Sequence, residues 1–256
     1  MSPALQLEDI VCGWGQKSVV ETQNASMELA ANGGVLPLIG RSGAGKSTLL
    51  YVMAGMAMPL NGRVEWTISD EGQTVEWTHE NMDAAKTLRL ESFGFLMQDA
   101  SLIPFLTIAE SIMHLLEMRG IGGNDDERRK MAISAIGKMC IAGEKAEILA
   151  ASYPARLSGG QKHRMALAVA MSHDPAVLFA DEPTGSLDDD SRHEILQQIR
   201  AWVEEGEGKR AFVFVTHHKE EIDILGAKKY WEVCRDNKND ISGIVVHELA
   251  KCGGVL

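Results

Sequence analysis

The sequence lacks the features that would place the chain within a membrane or cross-link it. No uninterrupted apolar run approaches the roughly 20 residues that a membrane-spanning helix needs. The first residues, MSPALQLEDIV, carry no basic segment followed by an apolar core, so no signal peptide is expected. The 4 cysteines are scattered without a C-x-x-C pair, which argues against a metal site or disulfide framework and favours a reducing cytosol. If this protein serves a membrane, a partner must provide the contact.

Basic residues are also in short supply. Lys and Arg number 25 against 36 Asp and Glu, giving a formal net charge of -11, whereas nucleic-acid-binding proteins usually show a basic patch or excess. This balance argues against a nucleic-acid partner, although a local basic patch can occur on an acidic protein. The 256 residues, 45% hydrophobic and 24% charged, suffice for one large soluble α/β domain with an inserted subdomain.

Three short apolar runs predict buried strands, and chemically active residue types follow each one. Val35 to Ile39 leads into a glycine-rich loop, and the helical pattern from Lys46 to Met56 comes directly after that loop. Ala176 to Ala180 ends at Asp181, and Ala211 to Thr216 ends at His217. Functional residues at the carboxyl ends of buried strands are typical of a doubly wound α/β fold with a mostly parallel central sheet.

Other segments predict additions to that sheet. Leu5 to Glu76 holds strand-like stretches with glycine-containing turns, which favour an antiparallel β portion. Residues 108 to 151 are helical by pattern and predict an inserted helical subdomain. The alternating tail ISGIVVHEL is consistent with a final hairpin.

The glycine-rich loop matches the phosphate-binding pattern G-x-x-x-x-G-K-[ST]. Its glycines let successive backbone N–H groups point at phosphate oxygens, and the following helix adds its positive end. Lys46 is predicted to reach the β- and γ-phosphates of ATP, and the Ser47 hydroxyl to ligate Mg²⁺. The alternative is a plain glycine-rich turn, but a chance match in a chain of this length has a probability of roughly 1%. The predicted nucleotide-binding residues are Gly40, Arg41, Ser42, Gly43, Ala44, Gly45, Lys46, Ser47 and Thr48.

Two adjacent acids end the second buried strand. Asp181 is predicted as a carboxylate for Mg²⁺, and Glu182 as the group that polarises the attacking water. Taken alone, the pair fits a helix cap or solvated turn about as well as a catalytic site. The phosphate-binding loop upstream favours the catalytic interpretation.

A further motif makes the sequence recognisable. Leu157-Ser158-Gly159-Gly160-Gln161, followed by DEPTGSLD from Asp181 to Asp188, resembles the signature of the ABC ATPases in order and spacing. The resemblance extends from about Leu5 to Ile244. The stretches FGFLMQDASLIPFLT and ADEPTGSLD resemble the lipoprotein-releasing, macrolide-export and cell-division branch of this family.

The resemblance implies roles that spacing alone does not. Ser158 and Gly160 would contact the γ-phosphate of ATP held by the opposite subunit of a head-to-tail homodimer, and Asp188 would reach across that dimer. Gln98 would meet Mg²⁺ and the attacking water, and His217 would touch the γ-phosphate. Standing alone, Gln98 would be taken for a solvated loop residue.

Trp14 lies where the family places an aromatic residue that stacks on adenine. Stacking needs only a flat π-face, so tryptophan can serve. A core or surface tryptophan is the alternative.

The resemblance also implies an organisation and a partner. Residues 1–256 would form a single ABC ATPase domain, with a catalytic core at 1–97 and 166–256 and a helical subdomain at about 98–165. The protein would bind integral-membrane transporter subunits and lie on the cytoplasmic face of the inner membrane. The competing hypothesis is a soluble ABC ATPase that acts on nucleic acid or ribosomes.

Pro37 departs from the family pattern. It falls in the strand that leads to the phosphate-binding loop, where the family usually has a small residue with an N–H. Because proline removes a hydrogen-bond donor from a central strand, we expect a local bulge or a lost hydrogen bond there.

Overall fold

The computed structural model describes residues 3–15, 17–68, 74–185, 187–235 and 241–249. Ser186 of the DEPTGSLD motif and the cysteine Cys252 lie outside these ranges. Within the described residues, no helix is both long enough and apolar enough to span a bilayer.

The strands are β1 Ala4–Trp14, β2 Lys17–Glu28, β3 Val35–Gly40, β4 Asn61–Thr67, β5 Thr74–Thr78, β6 Phe93–Leu96, β7 Val177–Asp181, β8 Ala211–Val215, β9 Lys229–Arg235 and β10 Ser242–Glu248. The α-helices are α1 Lys46–Met53, α2 Asp83–Glu91, α3 Ile108–Met118, α4 Asp125–Lys138, α5 Ala146–Ala150, α6 Gly159–Met171, α7 Asp189–Glu205 and α8 Lys219–Leu225.

The described strands form one mixed sheet in the order β5-β4-β1-β2-β10-β9-β3-β8-β7-β6. Strands β9, β3, β8, β7 and β6 run parallel, and β1, β2, β4 and β5 pair antiparallel. The α/β fold with a parallel centre and an antiparallel N-terminal portion is therefore confirmed. The expected terminal hairpin is also present, since β10 pairs antiparallel with β9.

The centre of the sheet is buried on both faces. Every residue of β7 and β8 is buried, as the uninterrupted apolar runs of a two-sided parallel sheet require. The carboxyl ends of β3, β7 and β8 lie side by side because these strands are neighbours and run in the same direction. The residues that follow these three strands therefore meet at one edge.

Helices α3 to α6 fill the interval between β6 and β7, where the sequence predicts helices. Helix α6 is continuous from Gly159 to Met171, so the expected core boundary at residues 165/166 falls within one helix. Its N-terminal turn carries the signature motif, and its last turn leads back to the sheet.

Pro37 causes no bulge against β8. That ladder is regular from Val35 opposite Phe212 to Leu38 opposite Val215. Pairing with β9, on the other side, begins only at Leu38. If the parallel register is extended by one residue, a backbone N–H at position 37 would point toward the carbonyl of Lys229. Proline has no N–H to place there. The expected loss of a hydrogen bond therefore falls on the β9 side alone.

The Asn32 side chain occupies this break in the ladder. It is 2% exposed, and its Nδ2 donates to the carbonyls of Lys229 at 2.9 Å and Val35 at 2.5 Å. Its Oδ1 accepts from the backbone N–H groups of Lys228 at 3.0 Å and Lys229 at 2.7 Å. One buried carboxamide thus pairs backbone groups of both strands and compensates for the donor missing at Pro37.

Candidate active site

The phosphate-binding loop has a backbone that only glycine accommodates easily. Gly40 and Gly45, at its two ends, have φ values of 147° and 94°. A Cβ at Gly40 would lie 2.4 Å from the carbonyl oxygen of Val233, and one at Gly45 would lie 2.5 Å from Val20 Cγ2. The two glycines therefore allow the chain to turn tightly between β3 and α1.

Lys46 is buried at the start of α1, and its ammonium folds back over the loop. Its Nζ donates to the carbonyls of Gly40 and Arg41, both at 3.0 Å. Burial lowers the pKa of Lys46, while the charges of Glu182 and Asp181 oppose that shift. A cation held among backbone carbonyls next to two acids is available to an incoming polyphosphate.

Asp181, at the end of β7, is hydrogen-bonded to two residues of α1, the helix that follows the phosphate-binding loop. Its Oδ1 accepts a hydrogen bond from the Ser47 hydroxyl at 2.9 Å, and its Oδ2 accepts one from the Tyr51 hydroxyl at 2.8 Å. Burial raises the pKa of Tyr51 to about 12, and its hydrogen bond to Asp181 acts in the same direction. A serine hydroxyl beside a carboxylate is a donor set suited to Mg²⁺.

Sequence reasoning missed Tyr51. A usable signal exists, because residues four apart share a helix face and Tyr51 is four residues after Ser47. Its phenol donates to the second carboxylate oxygen of Asp181 and so fixes the orientation of that carboxylate.

Glu182 is held between Gln98 and His217. Its Oε1 lies 2.7 Å from His217 Nε2, and its Oε2 accepts from Gln98 Nε2 at 3.2 Å. Its φ of 50° is unusual for a residue with a side chain. Such strain persists only where the surrounding structure fixes it and is common at functional sites. Two predicted residues, which follow β6 and β8, thus converge on the carboxylate that follows β7.

The remaining loop residues surround a cavity of about 330 Å³. Trp14 is 61% exposed at its edge, and its Nε1 donates to the Thr48 hydroxyl at 3.2 Å. Arg41 is exposed, whereas Ala44 is buried against the sheet. The lining is formed by Trp14, Val19, Ser42, Gly43, Gly45, Lys46, Ser47, Thr48, Glu182 and His217.

The signature motif lies apart from this cavity. Ser158 caps α6 in a reciprocal arrangement: its Oγ accepts from Gln161 N at 3.2 Å, and its N–H donates to Gln161 Oε1 at 3.1 Å. Ser158 is exposed, and neither it nor Gly160 is among the described residues that line the cavity.

Asp188 caps the neighbouring helix, α7. Its carboxylate accepts from the Ser191 N–H at 2.9 Å and the Ser191 hydroxyl at 3.0 Å, and these bonds lower the pKa of Asp188. A Cβ built on Gly160 would lie 3.2 Å from Ser191 Oγ, so the two helix starts adjoin. The positive ends of α6 and α7 therefore form one exposed surface.

Comparison with known proteins decides the family. The model of the ABC transporter family matches residues 22–185. This chain belongs to the ABC transporter family. It is 36% identical to the ABC transporter ATP-binding protein YtrE of Bacillus subtilis over 200 residues, which are 78% of this chain and 80% of that protein. It is 35% identical to the lipoprotein-releasing system ATP-binding protein LolD of Aquifex aeolicus over 193 residues, 75% of this chain and 79% of that one.

A solved structure agrees with this assignment. The chain superimposes on a dimeric, post-hydrolysis ATP-binding cassette, MJ0796, bound to ADP and Pi, with a TM-score of 0.74 and 26% identity. The match covers 96% of this chain and 99% of that chain. The protein is thus an ABC-type ATPase and an ATP-binding subunit of the transporter class, as the motifs predicted.

Proposed function

We propose that this ABC ATPase converts Mg-ATP binding and hydrolysis into movement of an integral-membrane partner. The convergence of Gln98 and His217 on Glu182, beside the phosphate-binding loop, carries the proposal. This arrangement supports the proposal because it holds a carboxylate beside the phosphate-binding loop, where a base would be needed for hydrolysis of a bound nucleotide.

Ser47, Asp181 and Gln98 are the residues proposed to hold Mg²⁺. The hydroxyl and carboxylate already lie 2.9 Å apart, and both supply the hard oxygen ligands that this ion prefers. When bound, the ion would neutralise charge on the phosphates.

The protein residues perform the remaining steps by position and charge. Lys46 and the N–H groups of the loop bind the phosphates, and Trp14 stacks on adenine from the cavity edge. Glu182 accepts a proton from the attacking water, and its strained backbone fixes the direction of the carboxylate. Gln98 and His217 hold that carboxylate and contact the reacting phosphate.

The second half of each site comes from another copy of the chain. The starts of α6 and α7 are exposed and lie outside the cavity, which leaves Ser158, Gly160 and Asp188 free to meet a facing phosphate-binding loop. The similar cassette MJ0796 is a dimer. We therefore propose a head-to-tail homodimer with two ATP molecules between the subunits.

The partner is proposed to be a transporter subunit embedded in the membrane, with this protein on the cytoplasmic face. Phe105 is 75% exposed and Ile103 is 37% exposed, just after Gln98 on the way to α3. This apolar stretch gives the partner a surface next to the site. Residues 1–97 and about 166–256 serve as the catalytic core, and about 98–165 form the helical subdomain that moves with the partner.

Similarity to LolD and the motif resemblance favour lipoprotein release, export or transmission of force across the membrane as the work performed. The substrate would be selected by the membrane subunit.

The catalytic assignment is tested with Glu182→Gln. The amide keeps the shape but cannot accept the proton, so turnover should fall about 10²- to 10⁴-fold. ATP binding should survive, and the unhydrolysed nucleotide should trap a dimer. Light scattering with and without Mg-ATP and a phosphate-release assay measure both effects. Turnover at the wild-type rate would remove Glu182 from its role.

The membrane assignment is tested by affinity purification from membranes in mild detergent. An integral-membrane subunit should co-purify with the wild-type chain. Phe105→Asp should lose that subunit while keeping nucleotide binding, because the replaced side chain is exposed. Val246→Asp, an equally drastic change at an exposed residue of β10, is the matched control and should retain the subunit. Recovery of the wild-type chain alone would contradict the proposal.

A further inference from the structure

A buried carboxylate behind the active site joins two of its loops. Glu221, on α8, is 0% exposed and does not line the nucleotide cavity. Its Oε1 accepts a hydrogen bond from the Thr184 hydroxyl, and its Oε2 accepts one from the Thr216 hydroxyl at 2.6 Å. Both threonines are themselves buried, at 1% and 2% exposure.

The two threonines stand next to the reacting groups. Thr184 is two residues after Glu182, and Thr216 immediately precedes His217. The Thr216 hydroxyl also accepts from the His218 N–H at 3.0 Å, so the turn that carries His217 is fixed at both ends. A carboxylate only accepts hydrogen bonds, and it therefore sets the direction of both hydroxyl donors.

Burial of this carboxylate needs compensation, which the surroundings supply in part. A buried charge is costly unless it is hydrogen-bonded or paired. Besides the two hydroxyls, Arg192 Nε lies 3.8 Å from Glu221 Oε1. Arg192 belongs to the first turns of α7, the helix that Asp188 caps. Glu221 thus contacts the loops after β7 and β8 and lies close to the start of α7.

We propose that Glu221 is a positioning residue for hydrolysis. Through Thr184 and Thr216 it holds the Glu182 carboxylate and the His217 imidazole in the positions that the reaction requires. The proposal rests on the proposed roles of Glu182 and His217. It explains how Glu182 keeps a φ of 50°, because the segment that follows it is tied down two residues later.

The primary test compares Glu221→Gln with Glu220→Gln. The adjacent Glu220 is exposed on the same helix, so its variant controls for loss of one negative charge. An amide has one acceptor oxygen in place of two, so one threonine loses its orientation. We expect kcat of Glu221→Gln to fall about 10-fold with KM for ATP within about 2-fold, since misplacement acts on the reacting groups. Wild-type kcat in Glu221→Gln would overturn the proposal, as would an equal loss in Glu220→Gln.

A second pair of variants covers the case in which Glu221→Gln does not fold. Thr184→Val removes the hydroxyl at nearly constant volume, and Thr184→Ser keeps it. The valine variant should show the same kcat-specific loss, and the serine variant should restore most of the rate. Equal losses in both, or a loss that falls on KM, would assign Thr184 to packing and overturn the proposal.

A double-mutant cycle separates this proposal from the function on which it rests. In a Glu182→Gln background, Glu221→Gln should cause a smaller further loss of turnover than its loss of about 10-fold in the wild type, because one of the two groups it positions is already disabled. An additional loss of about 10-fold in that background would overturn the positioning role. Full activity of Glu182→Gln alone would instead reject the assignment of the base, so the two failures are distinct.

Discussion

Two regions of the molecule differ in how many of their contacts one chain provides. The phosphate-binding edge is where the residues that follow β3, β6, β7 and β8 meet, and the signature surface is formed by the starts of α6 and α7. At the edge, side chains from the ends of β3, β6, β7 and β8 lie within hydrogen-bond distance of one another, as Ser47 with Asp181 and Gln98 with Glu182 show. At the signature surface, Ser158 and Asp188 use their hydrogen bonds on their own helix starts and remain exposed.

The difference reflects how the two regions are built. Parallel strands force their carboxyl ends together, so the edge assembles when the sheet folds. A helix N-terminus needs no neighbour to form, and it offers its N–H groups outward to an anion. A region that is ordered and capped yet faces solvent is suited to a ligand that another molecule brings.

The largest expected effect comes from complementing one region with the other. Lys46→Ala disables the edge and Ser158→Ala disables the signature surface, and each homodimer should lose nearly all ATPase activity. In a mixed sample, each heterodimer has one intact site, because the Ser158→Ala subunit supplies a working phosphate-binding edge and the Lys46→Ala subunit supplies a working signature surface. Activity should return to about a quarter of the wild-type value, since about half of the dimers are mixed and each has one good site.

The outcome of mixing distinguishes action across subunits from action within one. No recovery after co-expression or subunit exchange would mean that Ser158 serves its own phosphate-binding loop. A covalently linked dimer that carries both substitutions in the same half is the matched control. It should be inactive, because each of its two sites then contains one disabled region.

The next effect concerns the hydrogen bonds of the Asn32 side chain, which join β3 to β9 next to the phosphate-binding edge. Asn32→Ala removes four hydrogen bonds and leaves backbone groups of Val35 and Lys229 buried without partners. We expect the free energy of unfolding to fall by about 2–4 kcal/mol. Urea denaturation followed by circular dichroism measures this loss.

Pro37→Ala provides the matched test. It restores an N–H opposite the Lys229 carbonyl, so Asn32→Ala should cost less in that background than in the wild type. Equal costs would show that Asn32 does not compensate for the proline. Nucleotide affinity should change little in either variant, because neither residue lines the cavity.

The smallest effect concerns the end of the signature helix far from the nucleotide. His173, two residues beyond α6, is buried, and its Nε2 lies 3.2 Å from the Phe93 carbonyl at the start of β6. Burial lowers the pKa of His173 from 6.5 to about 3, and the nearby Arg119 charge acts in the same direction. The unfolded chain therefore binds this proton first as the pH falls.

The consequence is a loss of stability in acid. The stabilising contribution is complete above pH 6.5 and falls as the pH drops from 6.5 toward 3, by about 2 kcal/mol at pH 5. His173→Gln should flatten the pH dependence of the unfolding free energy between pH 7 and 5 by about that amount. His79→Gln, at an exposed position, is the control and should leave the slope unchanged. Unchanged slopes in both variants would contradict the assignment.

The elements that sequence reasoning predicted well are those whose signal is local. The phosphate-binding loop needs glycines at fixed spacing, and the buried strands before Asp181 and His217 are short apolar runs. Asn32 gave no such signal, because its partner Lys229 lies 197 residues away along the chain. In the sequence, Glu221 resembles any helical glutamate. Only the fold brings the threonines that follow β7 and β8 within hydrogen-bond distance of its carboxylate.

Local pattern and spacing along the chain predict the family, the order of the strands that carry chemistry and the residue types at each strand end. The folded arrangement is needed to show that Gln98 and His217 meet at Glu182, that Tyr51 orients Asp181, and that Asn32 fills the gap beside Pro37. These contacts join distant segments, and their geometry follows from strand register and burial, which one-dimensional spacing does not encode.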